Sequence, residues 1–212
     1  MTPIQIDYEH KAQTIIKQLE KRRMEGYYFA GSAEAVKFAN SLVKDGASVS
    51  FGGSATLNET GMTDSLRARK TLTIYDRSAA ASKEEISAVY HNALSCDTYF
   101  MSTNAITLDG QLVNVDGTGN RVAALIYGPK QVVILAGMNK VVRTTEDGIS
   151  RVHNIASPPN CIRLGRNTPC AATGMCADCL GEDCICSQTV ITRRSGERGR
   201  IKVILIGEEL GF

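Results

Sequence analysis

The chain of 212 residues reads as an α/β fold, an open and mostly parallel sheet flanked by helices. Three observations point there. Short apolar or β-branched runs alternate with stretches of helical periodicity, the pattern of parallel strands joined by helical crossovers. One such run, Ala47 to Phe51, is followed at once by the turn Gly52-Gly53-Ser54 and a helical stretch, giving the order strand, tight turn, helix. Another, Val132 to Leu135, is apolar throughout, as suits a strand covered on both faces.

The elements follow in order. From Tyr8 to Glu25, Ile15, Ile16, Leu19 and Met24 recur among Lys, Gln and Glu, which predicts an amphipathic opening helix. Ser32 to Lys44 has the same character, with Ser32 as its N-cap and a stop at Asp45-Gly46. After the Gly52 turn, Thr71 to Tyr75 reads as a strand, Ser82 to Leu94 as a helix and Thr98 to Thr103 as a strand. Asp109-Gly110 turns the chain between two extended pieces, as in a hairpin. Thr145 to Ile155 is helical and is expected to end before Ser157-Pro158-Pro159, since helices do not continue through a proline pair. Gln188 to Arg193 and Arg200 to Ile206, joined by Ser195 to Gly199, predict an antiparallel hairpin closing the fold. No repeat or linker interrupts residues 1–212, so one domain with a Cys-rich segment at 159–187 is the simplest organisation.

Composition excludes several classes of partner. A formal charge of +2 supplies no field for nucleic acid or a membrane surface, and the absence of Trp with 6% aromatic residues argues against a base-stacking platform. No apolar stretch of about 18 residues offers a membrane span, and the first residues lack the apolar core of a signal peptide. A cytoplasmic location, where thiols stay reduced, is therefore expected.

Six of the seven cysteines fall between Cys161 and Cys186 as C-x8-C-x5-C-x2-C-x4-C-x-C. A chain of this length buries a core without staples, so disulfides explain the cluster poorly. Thiolates are strong soft ligands, and four of them hold either tetrahedral zinc or an iron–sulfur cluster. Cys170, Cys176 and Cys179 approach the spacing that ligates three corners of a cluster, with the fourth thiolate from Cys184 or Cys186. The motif does not choose between zinc and iron–sulfur, and Cys161 is surplus to a four-ligand site. Cys96 stands apart and reads as a small buried apolar residue. His10, His91 and His153 are scattered and read as surface or helix-face residues, and Arg193, Arg194, Arg198 and Arg200 as a solvated face.

Two further constellations invite a ligand. At Gly52, Gly53 and Ser54, backbone N–H groups at a strand end can approach an anion, although a plain tight turn explains the glycines equally well. Glu59 lies where an α/β enzyme would place a base or nucleophile, though a Glu near a helix start also serves local backbone donors. The stretch from Asn104 through Asp109, Asn114, Asp116, Gly117 and Asn120 to Arg121 gathers carboxylates and amides around two Asp-Gly turns. Turn chemistry accounts for it, or these loops converge with the Gly53 turn on one pocket. Glu59, Asp109 and Asp116 are then the candidate acid–base groups, and Lys140 or Arg121 the counter-charge for an anionic substrate.

The segments GGSATLNETG at 52–61, STNAITLDGQLVNVDGTGNRVAALIYGP at 102–129 and VVILAGMNKVV at 132–142 resemble the lactate-utilisation (LUD) domain family. The stretches TPCAATGMCADCLGEDCIC and GRIKVILIGEELGF resemble its Cys-bearing subgroup, except that Cys184 stands where a basic residue is expected. The resemblance implies a fold like that of the superfamily of glucosamine-phosphate isomerase, ribose-phosphate isomerase and CoA-transferase, with ligands at the strand carboxyl ends. It implies a phosphate or CoA-like group at Gly52, Gly53 and Ser54, with Glu59, Asn104, Asp109 and Asp116 lining the pocket; Gly117, Asn120 and Lys140 are further candidate ligand-binding residues.

For function it implies an accessory or electron-transfer subunit in oxidation of L-lactate or a similar 2-hydroxy acid, with Cys170, Cys176, Cys179 and Cys186 holding an iron–sulfur cluster or zinc. A small anionic substrate or ligand and the other subunits of a lactate-oxidising complex are the implied partners, and a homo-oligomer is compatible with this. The alternatives are a metal-stabilised isomerase or acyl/CoA-transfer enzyme using Glu59, and a small-molecule-binding module using the same pocket.

Overall fold

The computed structural model describes residues 1–212. The first helix, α1 (Pro3–Lys21), starts earlier than its apolar periodicity suggests because Thr2 and Gln5 form a capping box and Pro3 occupies the first turn. It also stops sooner, and Glu25–Phe29 forms a strand, β1, which begins where the sequence reading ended the helix and to which that reading gave no element. Then come α2 (Ser32–Ser41), β2 (Ser48–Phe51), α3 (Ala55–Glu59), α4 (Met62–Arg67), β3 (Thr73–Tyr75) and α5 (Lys83–Ala93). Ser82, read as the start of the helical stretch, is the N-cap of α5, but Gly31 rather than Ser32 is the N-cap of α2, because the Ser32 amide and hydroxyl both donate to Glu208.

The chain continues through β4 (Thr98–Met101), β5 (Ala105–Thr107), β6 (Leu112–Asp116), α6 (Asn120–Ile126), β7 (Gln131–Gly137), β8 (Val141–Val142) and α7 (Thr145–Arg151). A π-helical turn, Val152–Ala156, then leads into α8 (Ser157–Arg163), followed by α9 (Pro169–Thr173), β9 (Gln188–Thr192) and β10 (Ile201–Ile206). The expected stop before the prolines does not occur. Pro158 and Pro159 sit in the first turn of α8, where no intrahelical N–H is required, and the π turn upstream absorbs the change of register.

Six strands form one wholly parallel sheet in the order β1-β10-β7-β4-β2-β3. Its two faces are covered by separate clusters. Val132, Ile134, Val203, Leu205, Tyr99 and Met101 point to Ile15 and Leu19 of α1 and to Ala124 and Leu125 of α6. Val133, Leu135, Ile204, Ile206 and Phe100 point to Ala35 and Ala39 of α2, Leu57 of α3, and Met62 and Leu66 of α4. The alternation along β7 and β10 feeds both faces, which is why these runs are continuously apolar.

The closing antiparallel hairpin is a second correction. β9 pairs antiparallel with β6 in a smaller sheet ordered β8-β5-β6-β9, whereas β10 enters the large sheet between β1 and β7, parallel to both. The Gly-rich link between them is thus a crossing from one sheet to the other. Arg200 is not on a solvated face either: its guanidinium donates to the carbonyls of Ala124, Leu125 and Pro129, satisfying orphan acceptors where α6 ends. The Asp109-Gly110 hairpin is present between β5 and β6. No helix is long and apolar enough to cross a membrane.

Candidate functional site

The carboxyl ends of β2, β4, β6 and β7 open into one cleft of about 390 Å³. Its first wall is the turn after β2. The Gly52 amide extends the ladder by donating to Phe100 O at 3.0 Å, and Ser54 caps α3 by accepting from the Leu57 amide at 3.3 Å. A Cβ on Gly52 would lie 3.1 Å from the Tyr99 hydroxyl and 3.2 Å from Arg121 Cδ, and one on Gly53 would lie 3.2 Å from the Arg77 guanidinium. The glycines therefore make room for two cations as well as for the turn.

Arg121, in the first turn of α6, organises the floor. Its Nε donates to Asp116 Oδ2 at 3.1 Å, and its two terminal nitrogens donate to Ser102 O, Asn114 Oδ1, Asn104 Oδ1 and Val115 O at 2.6–3.1 Å. Asp116 in turn accepts from the Gly119 amide at 2.8 Å, an approach made possible by the left-handed Gly119 (φ 91°). Asn104 Oδ1 also takes the Val115 amide at 3.0 Å, while Asn114 Nδ2 is buried without a partner. One guanidinium thereby ties together the loops after β4 and β6 that the Asp-Gly and Asn-rich pattern had singled out.

Lys140, at the end of the 3-10 turn that follows β7, is only 4% exposed and lines the cleft. Its Nζ donates to Thr56 Oγ1 at 2.8 Å and Ser102 Oγ at 3.0 Å, and it belongs to no ion pair. Burial, reinforced by the Arg151 and Arg121 charges and only partly opposed by Glu59, brings its pKa down from 10.5 to about 7. The sequence reading cast Lys140 as a fixed counter-charge; in the fold it is an amine poised between its charged and neutral forms.

The Cys-rich segment supplies the opposite wall, through Arg163, Arg166, Glu182, Cys184 and Ile185. It presses on the β6 loop, where a Cβ on Gly117 would meet Ile185 Cα at 3.2 Å. All seven cysteines are free thiols. Cys161 and Cys170 sulfurs lie 3.6 Å apart, Cys186 is 3.3 Å from Ser157 Oγ, and Cys176 is 3.1 Å from His153 Nδ1. His153, which sequence spacing left as a helix-face residue, reaches the cysteines because it sits in the π turn. The donors are soft and gathered in one segment, which fits the chemistry of zinc or an iron–sulfur cluster. As the side chains stand, no three His, Cys, Asp or Glu groups converge closely enough to hold an ion.

Gly53, Ser54, Asn104, Asp116, Gly117, Asn120 and Lys140 all line the cleft. Gly52 is buried and does not line it. Two expected members are elsewhere: Asp109, exposed at the β5–β6 turn, bonds Thr107, Gln111 and Arg22, and Glu59, exposed at the end of α3, accepts from the Gly211 amide. Neither lines the pocket that the family resemblance implied for them. Thr56, Ser102, Arg77, Arg163 and Arg166 were missed. Only the helix-start position of Thr56 hinted at a role; the others depend on non-local packing.

A family model for the LUD domain matches residues 12–206. The chain belongs to the LUD domain family. This family is associated with lactate utilisation. Among solved structures, a DUF162 family protein from Deinococcus radiodurans is similar in fold at a TM-score of 0.51 and 12% identity, over 95% of this chain and 98% of that one. Partial likenesses extend to eIF2B beta from Chaetomium thermophilum (TM-score 0.37, 16% identity, 55% of this chain and 44% of that) and to ribose 5-phosphate isomerase from Plasmodium falciparum (0.34, 14%, 53% and 52%). Comparison with curated proteins gives no match.

Proposed function

We propose that this LUD domain is an accessory subunit in oxidation of L-lactate or a similar 2-hydroxy acid, and that its cleft takes a small carboxylate-bearing anion. The observation that carries this reading is the charge of the cleft. The guanidinium groups of Arg77, Arg121, Arg163 and Arg166 line it against the side-chain carboxylates of Asp116 and Glu182, so an organic anion is the complementary ligand even with Lys140 neutral. The volume, about 390 Å³, suits a small molecule rather than a macromolecule.

In this proposal Cys170, Cys176, Cys179 and Cys186 hold the metal, which supplies electron transfer as an iron–sulfur cluster or local order as zinc. Because the Cys segment forms one cleft wall, a metal there would fix Arg163 and Arg166 and couple ligand binding to the metal. The isomerase or acyl-transfer alternative drew on Glu59 as base. Its carboxylate, tied to Gly211 outside the cleft, lends that alternative no support.

The experiment is calorimetric titration of the anaerobically purified protein with L-lactate, with pyruvate and with glycerol as an uncharged control. Binding of the two acids that weakens on raising salt, with no binding of glycerol, is the expected result. Binding of neither acid would overturn the assignment.

A further inference from the structure

The hydrogen bonds around Lys140 suit a neutral amine. The Thr56 hydroxyl lies 3.3 Å from Leu210 O and the Ser102 hydroxyl 3.4 Å from Thr103 O, each oriented to donate to that carbonyl. Their oxygens are thus left to accept from Lys140 Nζ, at 2.8 and 3.0 Å. Two N–H bonds are used in this way. No third protein group accepts from Nζ, and in a neutral amine the remaining position is a lone pair. The charged groups that act on Nζ are Arg121 of α6, Arg151 of α7 and Glu59 of α3, of which the two arginines favour the neutral form. Arg151 is itself buried and held by Asn139 O and Asn104 O.

A buried neutral amine at a cationic cleft is a nucleophile with its substrate's counter-charge already in place. We propose that Lys140 captures the carbonyl of a 2-oxo acid as an imine, in the cleft that binds the anion. The inference rests on the proposed function, because oxidation of a 2-hydroxy acid yields a 2-oxo acid. In the step, the Nζ lone pair forms a bond to the carbonyl carbon and the C=O π electrons move to oxygen, giving a carbinolamine. Both amine protons then leave with that oxygen as water, and the C=N bond forms. Thr56 and Ser102, already bonded to Nζ, are placed to relay those protons. No oxidant or reductant is consumed.

The test is treatment of the full protein with pyruvate and cyanoborohydride at pH 7.5, followed by peptide mass mapping, with calorimetric binding of pyruvate measured on the same sample. The expected result is a carboxyethyl group on Lys140, formed roughly tenfold or more faster than on any exposed lysine, and its loss from that peptide in K140R. Pyruvate binding without modification of Lys140, or with modification spread evenly over surface lysines, overturns the imine and leaves the anion-binding reading standing. Absence of both binding and modification overturns the two together.

Discussion

Glu59 and Gly211 are joined by a 2.5 Å hydrogen bond from the Gly211 amide to the Glu59 carboxylate, which fastens the segment 208–212 across the buried side of Lys140. Gly211 has φ +60°, and a Cβ there would lie 2.6 Å from Thr56 Oγ1 and 3.4 Å from Lys140 Nζ. Gly137 makes the same passage possible from the sheet side, since its Cβ would lie 2.7 Å from both Glu208 O and Leu210 N. Glu59 is therefore a positioning residue in this fold. Glu59→Gln keeps an acceptor oxygen, so ligand affinity is expected to change by less than about threefold. Gly211→Ala combines strain with a clash and is expected to cost about 1–2 kcal/mol and to raise amide exchange across 208–212. Calorimetry and hydrogen exchange on the two variants check this; a collapse of binding in Glu59→Gln alone would return Glu59 to the cleft chemistry.

Lys140 makes stability pH-dependent in a defined direction. Its folded pKa, about 7, lies below the unfolded value near 10.5. Between these limits the unfolded chain holds a proton that the folded one has lost, so stability rises with pH across the window and levels off above it. The full span is on the order of 5 kcal/mol. Lys140→Met removes the titration, and its urea unfolding free energy is expected to be flatter from pH 7 to 10 than that of the native protein. An unchanged slope in the variant would assign the pH dependence to other groups.

Arg121 is expected to be the least replaceable cation of the cleft. Removing it strands Asp116, which is 8% exposed, and leaves Asn104 Oδ1 and Asn114 Oδ1 short of a donor. Arg121→Ala is expected to destabilise by about 3–5 kcal/mol, because a buried carboxylate loses its partner. Arg121→Lys keeps the charge but not the five-donor fork, and should recover only part of that loss. Chemical denaturation of both variants measures the difference.

What was legible in the sequence was local. The strand–turn–helix order at Phe51, Gly52 and Ser54 put that loop at the edge where the parallel strands end, whereas the turn at Asp116-Gly117 was marked only by its own chemistry, since β6 belongs to the smaller sheet and its arrival at the same cleft depends on how the two sheets pack. Pairing was less legible. Val190 and Ile204 sit in segments that look like two arms of a hairpin, yet they join different sheets, since a continuously apolar run such as Ile201 to Ile206 is best satisfied at the sheet centre. Strand β1 was hidden because a helix period can be extended onto Met24 without penalty. The burial of Lys140 and the arrival of His153, Arg163 and Arg166 were not readable at all, because each depends on residues far away in the chain.

The Cys wall yields the remaining prediction. Sequence spacing puts six thiols between residues 161 and 186, and packing brings Cys161 to Cys170 and Cys176 to His153, but the segment from Met175 to Ser187 has no helix or strand of its own. Such a segment gains order from a metal. With iron or zinc bound, Cys170, Cys176, Cys179 and Cys186 are expected to resist thiol reagents, and chelation should release all four while buried Cys96 stays slow. Amide exchange should then rise in 164–187 and remain unchanged in β4, β7 and β10, whose side chains are covered by the two cores on either face of the sheet. Anion affinity should fall with the metal, because Arg163 and Arg166 ride on the loosened wall. Metal-free protein with full protection of 164–187 and undiminished anion binding would show that the thiols pack without an ion, and the wall would then owe its order to the Cys161–Cys170 and His153–Cys176 contacts.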